Sequence, residues 1–211
     1  MSKFAILLGG TVKPTKRLNE QLQNARVIAA DSGMAHAELL ELSPELWVGD
    51  FDSSTAALMR QYKDTPRQIH APEKDATDGE LALAEALRRG ATELMLVGGF
   101  GGQFDHALAH AGFLLALGKR GMNIFMTSGT EEAYPLTSDL LLDDFNVGTR
   151  ISITPFSDLR GLSISGVKWP LTRRDVPLGS ALTLSNVIES TVRIELAAGA
   201  ALVLTYPSAA E

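Results

Sequence analysis

The sequence Trp47-Val48-Gly49-Asp50-Phe51-Asp52-Ser53 joins an apolar segment to two acidic residues at a glycine. Residues 46–48 predict a short buried strand that ends at this glycine. Alternate residues of an extended turn point the same way, so Asp50 and Asp52 are expected on one side of the chain. Two carboxylates in this arrangement suit Mg²⁺, which prefers oxygen ligands. An acidic surface turn is the other interpretation, because Asp and Ser both favour turns.

The first half of the chain alternates between strand-like and helix-like patterns. Continuous apolar runs, which are typical of strands buried on both faces, occupy residues 4–8, 26–30, 46–48, 94–97 and 123–127, and residues 67–70 predict a shorter strand. Helical spacing predicts helices over residues 18–24, 34–42, 54–62, 78–89 and 106–117. This alternation predicts an α/β domain with a mostly parallel sheet, in which ligands bind beyond the carboxyl ends of the strands.

After residue 128 the pattern changes to short strands separated by turn residues. The strand-like runs are 149–155, 162–167, 181–185, 190–197 and 201–206. Residues 191–196 alternate between polar and apolar side chains, as expected for a sheet with one solvated face. We therefore predict two domains, an α/β domain over residues 1–130 and an all-β sandwich over residues 131–211.

The composition limits the classes of function. The 211 residues are 45% hydrophobic, enough for a sizeable core, and carry a net charge of −6. This charge argues against nucleic acid or an anionic membrane as the main partner, but a phosphate ligand is compatible with it when a metal ion supplies positive charge. Cysteine is absent from the sequence, which excludes disulfides and thiolate catalysis. The sequence has no signal-peptide core and no membrane-spanning run, so a cytoplasmic protein is expected.

A second acidic cluster follows the short strand at residues 67–70. It consists of Glu73-Lys74-Asp75-Ala76-Thr77-Asp78-Gly79-Glu80. Thr77 and Asp75 both suit a helix N-cap, and acidic residues suit the first helical turn, so capping explains one or two of these residues. The functional interpretation is that Asp75 and Asp78 hold a metal ion while Lys74 binds a phosphate.

Four glycines in five residues follow the strand at residues 94–97, within Gly98-Gly99-Phe100-Gly101-Gly102-Gln103-Phe104-Asp105-His106. Such a loop lets main-chain N–H groups approach an anion, and the N-terminus of the following helix adds a favourable dipole. The stretch is not a Walker A loop, and a flexible turn is an equally good interpretation. Asp105 and His106 are either a cap with a surface histidine or a catalytic pair.

The second half offers candidates for binding an aromatic ligand. Trp169 is either a core or edge residue or a flat surface for stacking. Ser185 and Asn186 are either turn residues or hydrogen-bonding partners of a heterocycle.

Together these motifs resemble those of the thiamin pyrophosphokinase family. The matching elements occur in order over almost the whole chain, at residues 30–33, 49–53, 73–78, 98–106, 166–171 and 185–186. The resemblance implies an α/β catalytic domain, a β-sandwich that binds thiamin, and a homodimer with sites between subunits. It also implies transfer of pyrophosphate from ATP to the thiamin hydroxyl in the presence of Mg²⁺, giving thiamin diphosphate and AMP.

Each matched residue then receives a role as a hypothesis. The metal ligands are Asp50, Asp52, Asp75 and Asp78. Asp50 or Asp78 accepts the hydroxyl proton, and Lys74 stabilises charge on the phosphates. Trp169, Ser185 and Asn186 hold the thiamin rings. The contacts to ATP are assigned to Asp31, Ser32, Gly33, Gly98, Gly99, Gly101, Gly102, Gln103, Asp105 and His106.

The sequence also departs from the family pattern. Gln103 stands where the glycine-rich motif usually has an arginine, and His110 stands where that motif usually ends in asparagine. Val187 replaces the glutamate that usually follows Ser185-Asn186. Loss of the arginine removes a bidentate phosphate clamp, which affects the expected phosphate contacts and nucleotide preference of this loop.

Two other functions are compatible with the motifs. A haloacid-dehalogenase-like phosphatase uses an Asp-x-Asp motif at a strand end, but here the motif follows the third predicted strand and no Gly-Thr comes after it. A thiamin- or nucleotide-binding protein without catalysis also fits, with Gln103 as the lost contact. Formation of AMP and thiamin diphosphate would separate the three functions.

Overall fold

The computed structural model describes residues 2–52, 54–70 and 76–207. Contacts within the chain divide it into two units. The first unit comprises residues 1–107 and 126–129, and the second comprises residues 108–125 and 130–211. Within the described ranges, no helix is both long enough and apolar enough to cross a membrane.

The first unit alternates strands with helices. Its elements are β1 (Lys3–Leu7), α1 (Lys16–Leu22), β2 (Arg26–Ala30), α2 (Ala35–Leu39), β3 (Leu46–Gly49), α3 (Ala56–Gln61), β4 (Arg67–Ile69), α4 (Asp78–Arg88) and β5 (Glu93–Val97). A 3₁₀ turn over Asp31–Met34 precedes α2. The elements α5 (Phe104–Gly118) and β6 (Asn123–Thr127) follow. Each of these two elements has residues in both units. The predicted strands and helices of this half are therefore confirmed, with ends that differ by a few residues.

The strands of the first unit form a parallel sheet. β1 pairs with β2 and β5, and β3 pairs with β2 and β4, all in parallel. The order is β5-β1-β2-β3-β4, so the chain moves outward from β1 to β4 and then returns to the other side of β1. Ligands are expected beyond the carboxyl ends of the strands where the order reverses, here between β1 and β5. The predicted α/β class with a mostly parallel sheet is confirmed.

Burial and capping explain why these segments fold in this way. Phe4, Ile6 and Trp47 are fully buried, which accounts for the continuous apolar runs of strands covered on both faces. Helix α4 begins at a capping box in which the Thr77 hydroxyl accepts from the Glu80 N–H and the Glu80 carboxylate accepts from the Thr77 N–H. The helix starts are thus set by local chemistry as well as by packing.

The second unit is built from antiparallel strands. They are β7 (Glu132–Leu136), β8 (Leu140–Leu142), β9 (Arg150–Pro155), β10 (Leu159–Val167), β11 (Leu171–Val176), β12 (Asn186–Glu195) and β13 (Ala201–Tyr206). They pair in the order β7-β13-β9-β12-β10-β11, with β8 on β12, and every pairing is antiparallel. Side chains from all seven strands share one apolar core, which includes Leu136, Ile153, Leu162 and Val192. The predicted all-β second half is confirmed.

One predicted strand of the second unit is wrong. Residues 181–185 form turns, and the Leu184 N–H donates to the Ala181 oxygen at 3.2 Å. Leu182 and Leu184 are 54% and 45% exposed. The apolar character of this run therefore does not come from burial in a β-sheet. Three strands were also missed, namely β7, β8 and β11, and β12 begins at Asn186 rather than at residue 190. β11 carries four exposed polar residues, which masks its pattern.

Candidate functional site

Four strand ends meet at the carboxyl edge of the parallel sheet. β1 leads into Gly9 and Gly10, β2 into Asp31, β3 into Asp50 and β5 into Gly98. Because neighbouring parallel strands end at the same edge, these residues lie where a ligand is expected.

Three carboxylates lie together at this edge. Asp31, Asp50 and Asp52 each offer one oxygen, and these oxygens all lie within 4.8 Å of one another. Oxygens on one octahedral Mg²⁺ are about 3–4 Å apart, since each lies about 2.1 Å from the ion. Asp31 and Asp50 are partly buried, and Asp52 is exposed. The arrangement can therefore hold one hard divalent cation with little movement of the side chains.

Asp31 is held in an unusual main-chain conformation. Its φ is +42°, in the left-handed region that Asp tolerates better than most residues. The Trp47 indole Nε1–H donates to the Asp31 main-chain oxygen at 2.9 Å. A Cβ on Gly49 would lie 3.3 Å from the Asp31 Cα, so β3 packs closely against this turn. The sequence assigned Asp31 to the nucleotide, whereas the structure brings it together with Asp50 and Asp52.

The loop after β3 is held by its own turn and by aromatic contacts. The Asp52 N–H donates to Asp50 Oδ1 at 3.2 Å, which is the pattern of an Asx turn. Phe51 has a φ of +66°, and its ring meets the Trp47 ring edge-on at 4.9 Å. The Arg67 guanidinium lies 5.4 Å from the Trp47 ring and 5.8 Å from the Phe51 ring. These contacts hold the spacing between the two carboxylates.

The loops after β1 and β5 are joined through their main chains. The Gly10 N–H donates to the Gly98 oxygen at 2.8 Å, and the Thr11 N–H donates to the Phe100 oxygen at 2.7 Å. A Cβ on Gly10 would lie 2.2 Å from the Phe100 oxygen, and one on Gly98 would lie 2.5 Å from the Leu8 oxygen. Only glycine fits such an approach. Sequence reasoning missed the part played by Gly9 and Gly10, although a glycine pair at a strand end is the signal.

Further glycines of the predicted nucleotide set have similar reasons to be glycine. A Cβ on Gly33 would lie 2.2 Å from the Leu7 oxygen, which packs the turn after β2 against β1. Gly101 and Gly102 have φ values of +73° and +66°. Gly9 lies outside that set, but a Cβ on it would lie 2.3 Å from the hydroxyl oxygen of Ser32, which belongs to the set.

The start of α5 is open to solvent. Gln103, Asp105 and His106 are all exposed, and the Asp105 carboxylate accepts from the His106 N–H at 2.9 Å. The contact satisfies one main-chain N–H of the first helical turn. Gly99 lies in the same loop and is buried.

His36 is a contact that sequence reasoning missed. Its Nε2 lies 2.9 Å from the Gly10 oxygen, and because a carbonyl only accepts, Nε2–H is the donor. Burial lowers the pKa of His36 below its usual value, and the Gly10 carbonyl opposes this only in part. The His36 side chain therefore ties the turn at Gly10 to helix α2. A lone histidine in a short helix gives no sequence signal for this.

The acidic loop before α4 is only partly described. Lys74 and Asp75, like Glu73 and Ser53, lie outside the described residues. Asp78 is the first residue of α4 and is partly buried. Among the described residues, the carboxylate group contains Asp31, Asp50 and Asp52, and Asp78 is not a member of it.

The second unit contains a cavity of about 310 Å³. It is mostly apolar, and its lining residues are Ile151, Ser152, Ile153, Ile164, Trp169, Leu171, Leu182, Thr183, Leu184 and Asn186. Two of the three predicted thiamin residues, Trp169 and Asn186, are thus brought together. Ser185 does not line the cavity, and its N–H donates to Ser152 Oγ at 2.9 Å.

The lining explains the incorrect strand prediction and adds new polar groups. Leu182 and Leu184 are apolar because they form a wall of the cavity. Ser152 and Thr183 are buried hydroxyls in the lining, and Thr183 Oγ1 donates to the Ile153 oxygen at 2.6 Å. No sequence motif pointed to Ser152, because a single serine in a strand has no distinctive pattern.

The fold and the sites define an α/β protein with a candidate divalent-cation site, joined to an antiparallel β unit with a small-molecule cavity. The family model for the thiamin pyrophosphokinase catalytic domain matches residues 18–126, and the model for the thiamin pyrophosphokinase vitamin B1 binding domain matches residues 140–200. The chain therefore belongs to the thiamin pyrophosphokinase family. This family is favoured over the phosphatase and binding-protein alternatives.

Individual relatives agree with this assignment. A thiamine pyrophosphokinase of Bacillus subtilis (strain 168) is 33% identical to this chain over 143 residues. The aligned region covers 65% of this chain and 66% of the relative, so this chain spans just under two thirds of the relative's length. A crystal structure of a thiamine pyrophosphokinase from Bacillus subtilis has a TM-score of 0.87 and 25% identity, covering 98% of this chain and 100% of that chain. The crystal structure of yeast thiamin pyrophosphokinase has a TM-score of 0.81 and covers 99% of this chain and 87% of that chain. Its identity is 13%, so this likeness shows the fold alone.

Proposed function

We propose that this protein is a Mg²⁺-dependent thiamin pyrophosphokinase, which transfers pyrophosphate from ATP to the thiamin hydroxyl. The observation that carries the proposal is the position of the cavity. Every residue that lines it lies in the segment that matches the vitamin B1 binding domain of the family, residues 140–200. The carboxylate group lies in the segment that matches the catalytic domain, residues 18–126.

The donor set at the parallel sheet fits a hard divalent cation. Three carboxylate oxygens lie close enough to share one ion, and carboxylates with water are the usual Mg²⁺ environment. Asp31, Asp50 and Asp52 would hold Mg²⁺, and we propose Asp75 and Asp78 as further ligands. A bound Mg²⁺ would supply positive charge that offsets the charge of the triphosphate.

The glycine loops are proposed to bind the phosphates of ATP. Main-chain N–H groups of residues 100–102 and the start of α5 are the proposed anion-binding environment, and Lys74 would add positive charge. The Gly98 N–H is already occupied, because it donates to the Thr127 oxygen at 2.9 Å. The exposed Gln103 would give one neutral hydrogen bond where the family usually has a charged arginine. Phosphate binding would therefore depend more on the main chain than on a guanidinium clamp.

The reaction proceeds by direct displacement. The thiamin hydroxyl oxygen attacks the β-phosphorus of ATP, and the bond from that phosphorus to the oxygen bridging to the α-phosphorus breaks. AMP leaves with this oxygen, and thiamin gains the pyrophosphoryl group. The hydroxyl proton passes to Asp50 or Asp78. Positioning and charge neutralisation are the main contributions of a protein to such transfers.

The cavity of the second unit is proposed to bind the thiamin rings. Its volume of about 310 Å³ lies at the lower end of the range for small-molecule sites. Trp169 offers a flat face for stacking, and it is 55% exposed although it lines the cavity. Ser152 Oγ accepts from the Ser185 N–H, so its own O–H can donate to a ring nitrogen of the aminopyrimidine.

A homodimer is part of the proposal. Helix α5 is apolar along most of its length, yet Phe104 and Leu108 are 76% and 49% exposed. A helix that is apolar on all sides is normally buried, so a second copy of the chain is the proposed cover. Leu108→Lys should give a monomer in sedimentation velocity, and this monomer should lose activity. A verified monomer with full activity would contradict the dimeric site.

The decisive experiment is a product assay with ATP, Mg²⁺ and thiamin. We expect equal amounts of AMP and thiamin diphosphate, loss of both products in Asp50→Asn, and no change in Asp64→Asn, which alters an exposed aspartate of the same unit. Thiamin binding without AMP formation would indicate a binding protein. Release of inorganic phosphate through an aspartyl-phosphate would indicate the phosphatase instead.

A further inference from the structure

The side chain of Asn186 is bonded to the main chain of Trp169. Its Oδ1 accepts from the Trp169 N–H at 3.1 Å, and its Nδ2 donates to the Trp169 oxygen at 2.8 Å. Oδ1 also accepts from the Val187 N–H at 2.9 Å. A side-chain amide has two acceptor and two donor positions, so both acceptor positions and one donor position are already in use.

Trp169 lies in the short connection between β10 and β11, where regular strand pairing has ended. The neighbouring Lys168 N–H donates to the Val187 oxygen at 2.9 Å, so the connection is tied to the start of β12 by three hydrogen bonds. Two of these three bonds come from Asn186. The amide therefore replaces the missing strand pairing on both sides of the Trp169 Cα.

We infer that Asn186 is a positioning residue for Trp169, and that it acts on thiamin through the indole ring rather than by direct contact. Fixing both the N–H and the C=O of Trp169 fixes its φ and ψ, and with them the direction of the Cα–Cβ bond. The Lys168 ammonium lies 4.9 Å from the ring centroid, which restricts the ring further. The side chain of Trp169, a residue that is 55% exposed, is thus ordered before a ligand binds. This inference rests on the proposed function, because it takes the cavity as the thiamin site.

A double-mutant cycle tests the inference on the full chain. Thiamin dissociation constants are measured by calorimetry for the wild type, Asn186→Ala, Trp169→Ala and the double variant. We expect Asn186→Ala to weaken binding about threefold to tenfold, the cost of leaving one large side chain unordered before binding. In the Trp169→Ala background the same change should have no further effect, because both residues act through one contact. Additive effects would overturn the inference.

A second measurement does not depend on thiamin. In protein labelled with 5-fluorotryptophan, the Trp169 fluorine resonance, assigned through Trp169→Phe, should shift or narrow in Asn186→Ala. The matched control is Asp158→Ala, which removes another side-chain acceptor, here for the Leu178 N–H, outside the cavity lining. An unchanged Trp169 resonance in Asn186→Ala would overturn the inference.

The outcomes distinguish this inference from the proposed function. Should the wild type fail to bind thiamin while the fluorine resonance responds to Asn186→Ala, the thiamin assignment is overturned and the tie between the two residues stands. Should the wild type bind thiamin with additive effects, the proposed function stands and the positioning role is overturned. Asn186→Asp keeps both acceptor contacts and loses the donor to the Trp169 oxygen, so it replaces Asn186→Ala if that variant does not fold.

Discussion

The Trp47 indole N–H donates to the main-chain oxygen of Asp31 across 2.9 Å, from one strand end to the next. Trp47 is fully buried, and Asp31 occupies the left-handed region with a φ of +42°. The residue that carries the carboxylate is thus held by a side chain of β3, the same strand that leads into Asp50. The spacing of the carboxylate group depends on this hydrogen bond.

Trp47→Phe removes the donor and keeps an aromatic ring against Phe51. We expect the free energy of unfolding to fall by about 1–3 kcal/mol, since a partly buried carbonyl loses its partner. Mn²⁺ binding, followed by electron paramagnetic resonance, should weaken about tenfold or more, as it does when outer contacts of metal ligands are lost. Trp169→Phe, which changes the other tryptophan, should leave Mn²⁺ binding intact. Equal Mn²⁺ affinity in Trp47→Phe and the wild type would contradict the positioning of Asp31 by Trp47.

Asp31 itself can be tested with a pair of substitutions. Asp31→Asn removes the charge but suits the left-handed conformation, so we expect weaker Mn²⁺ binding with nearly unchanged stability. Asp31→Ala removes the same charge and adds a main-chain cost of about 1–2 kcal/mol. Calorimetric titration and urea unfolding measure the two effects. If Asp31→Asn binds Mn²⁺ like the wild type, Asp31 does not belong to the metal site.

A substitution of Asp78 tests a proposed metal ligand that lies outside the group of Asp31, Asp50 and Asp52. Asp78→Asn should lower kcat by about 10²-fold or more if Asp78 is a base or a metal ligand. The capping box of Thr77 and Glu80 stays in place, so the fold should be little affected. Glu80→Ala is the matched comparison, because it should cost stability and keep turnover. Near-normal kcat in Asp78→Asn would remove Asp78 from the proposed machinery.

Gly10→Ala should disrupt the joined loops. The added Cβ would lie 2.2 Å from the Phe100 oxygen and 2.4 Å from the Gly98 oxygen, and neither main-chain atom can rotate away. We expect a loss of about 1–3 kcal/mol in unfolding free energy and a higher KM for ATP. Gly148→Ala in the second unit is the control, because nothing lies within 4 Å of its Cβ position and its φ of +93° makes alanine costly there without any contact to these loops. A Gly10→Ala variant with unchanged KM would show that the loop geometry does not matter for the nucleotide.

Glu85 provides a prediction about pH. The Arg88 guanidinium, with a further hydrogen bond from Arg89, lowers the Glu85 pKa from 4.5 to about 2 against the opposing effect of burial. A depressed folded-state pKa means that the stabilisation is present above about pH 4.5 and is lost as the pH falls towards 2. Glu85→Gln should therefore cost about 1–2 kcal/mol at pH 7, with the gap to the wild type closing below pH 4.

Urea unfolding at pH 7, 4 and 3 measures this gap. Glu20→Gln is the control, because the Lys16–Glu20 pair is exposed on both sides and should contribute little. A gap for Glu85→Gln that stays constant with pH would contradict the role of the ionised carboxylate.

The parallel sheet was predictable because its strands are buried on both faces and therefore appear as unbroken apolar runs. Asp50 and Asp52 were predictable as a pair because two residues of one turn carry the signal. The proximity of Asp31 was not, since it depends on the pairing of β2 with β3 and on the left-handed turn that Trp47 holds. Long-range hydrogen bonds of this kind leave no local pattern.

The second unit illustrates the opposite error. Residues 181–185 alternate like a strand, yet the leucines among them line a cavity instead of a core. β11 was missed because most of its side chains face solvent and none of the apolar periodicity remains. The motif at Ser185 and Asn186 was recognised, but the bonds that occupy the Asn186 amide could be known only from the folded chain.

The close glycine contacts between the loops after β1 and β5 limit where this chain can be recombined with its relatives. A crossover placed between residues 10 and 98 would unite two loops of different parentage, and any side chain at Gly10 would strike the opposing carbonyls. Chimeras that inherit both loops from one parent should survive far more often. Two segments almost ninety residues apart should therefore have to be inherited together.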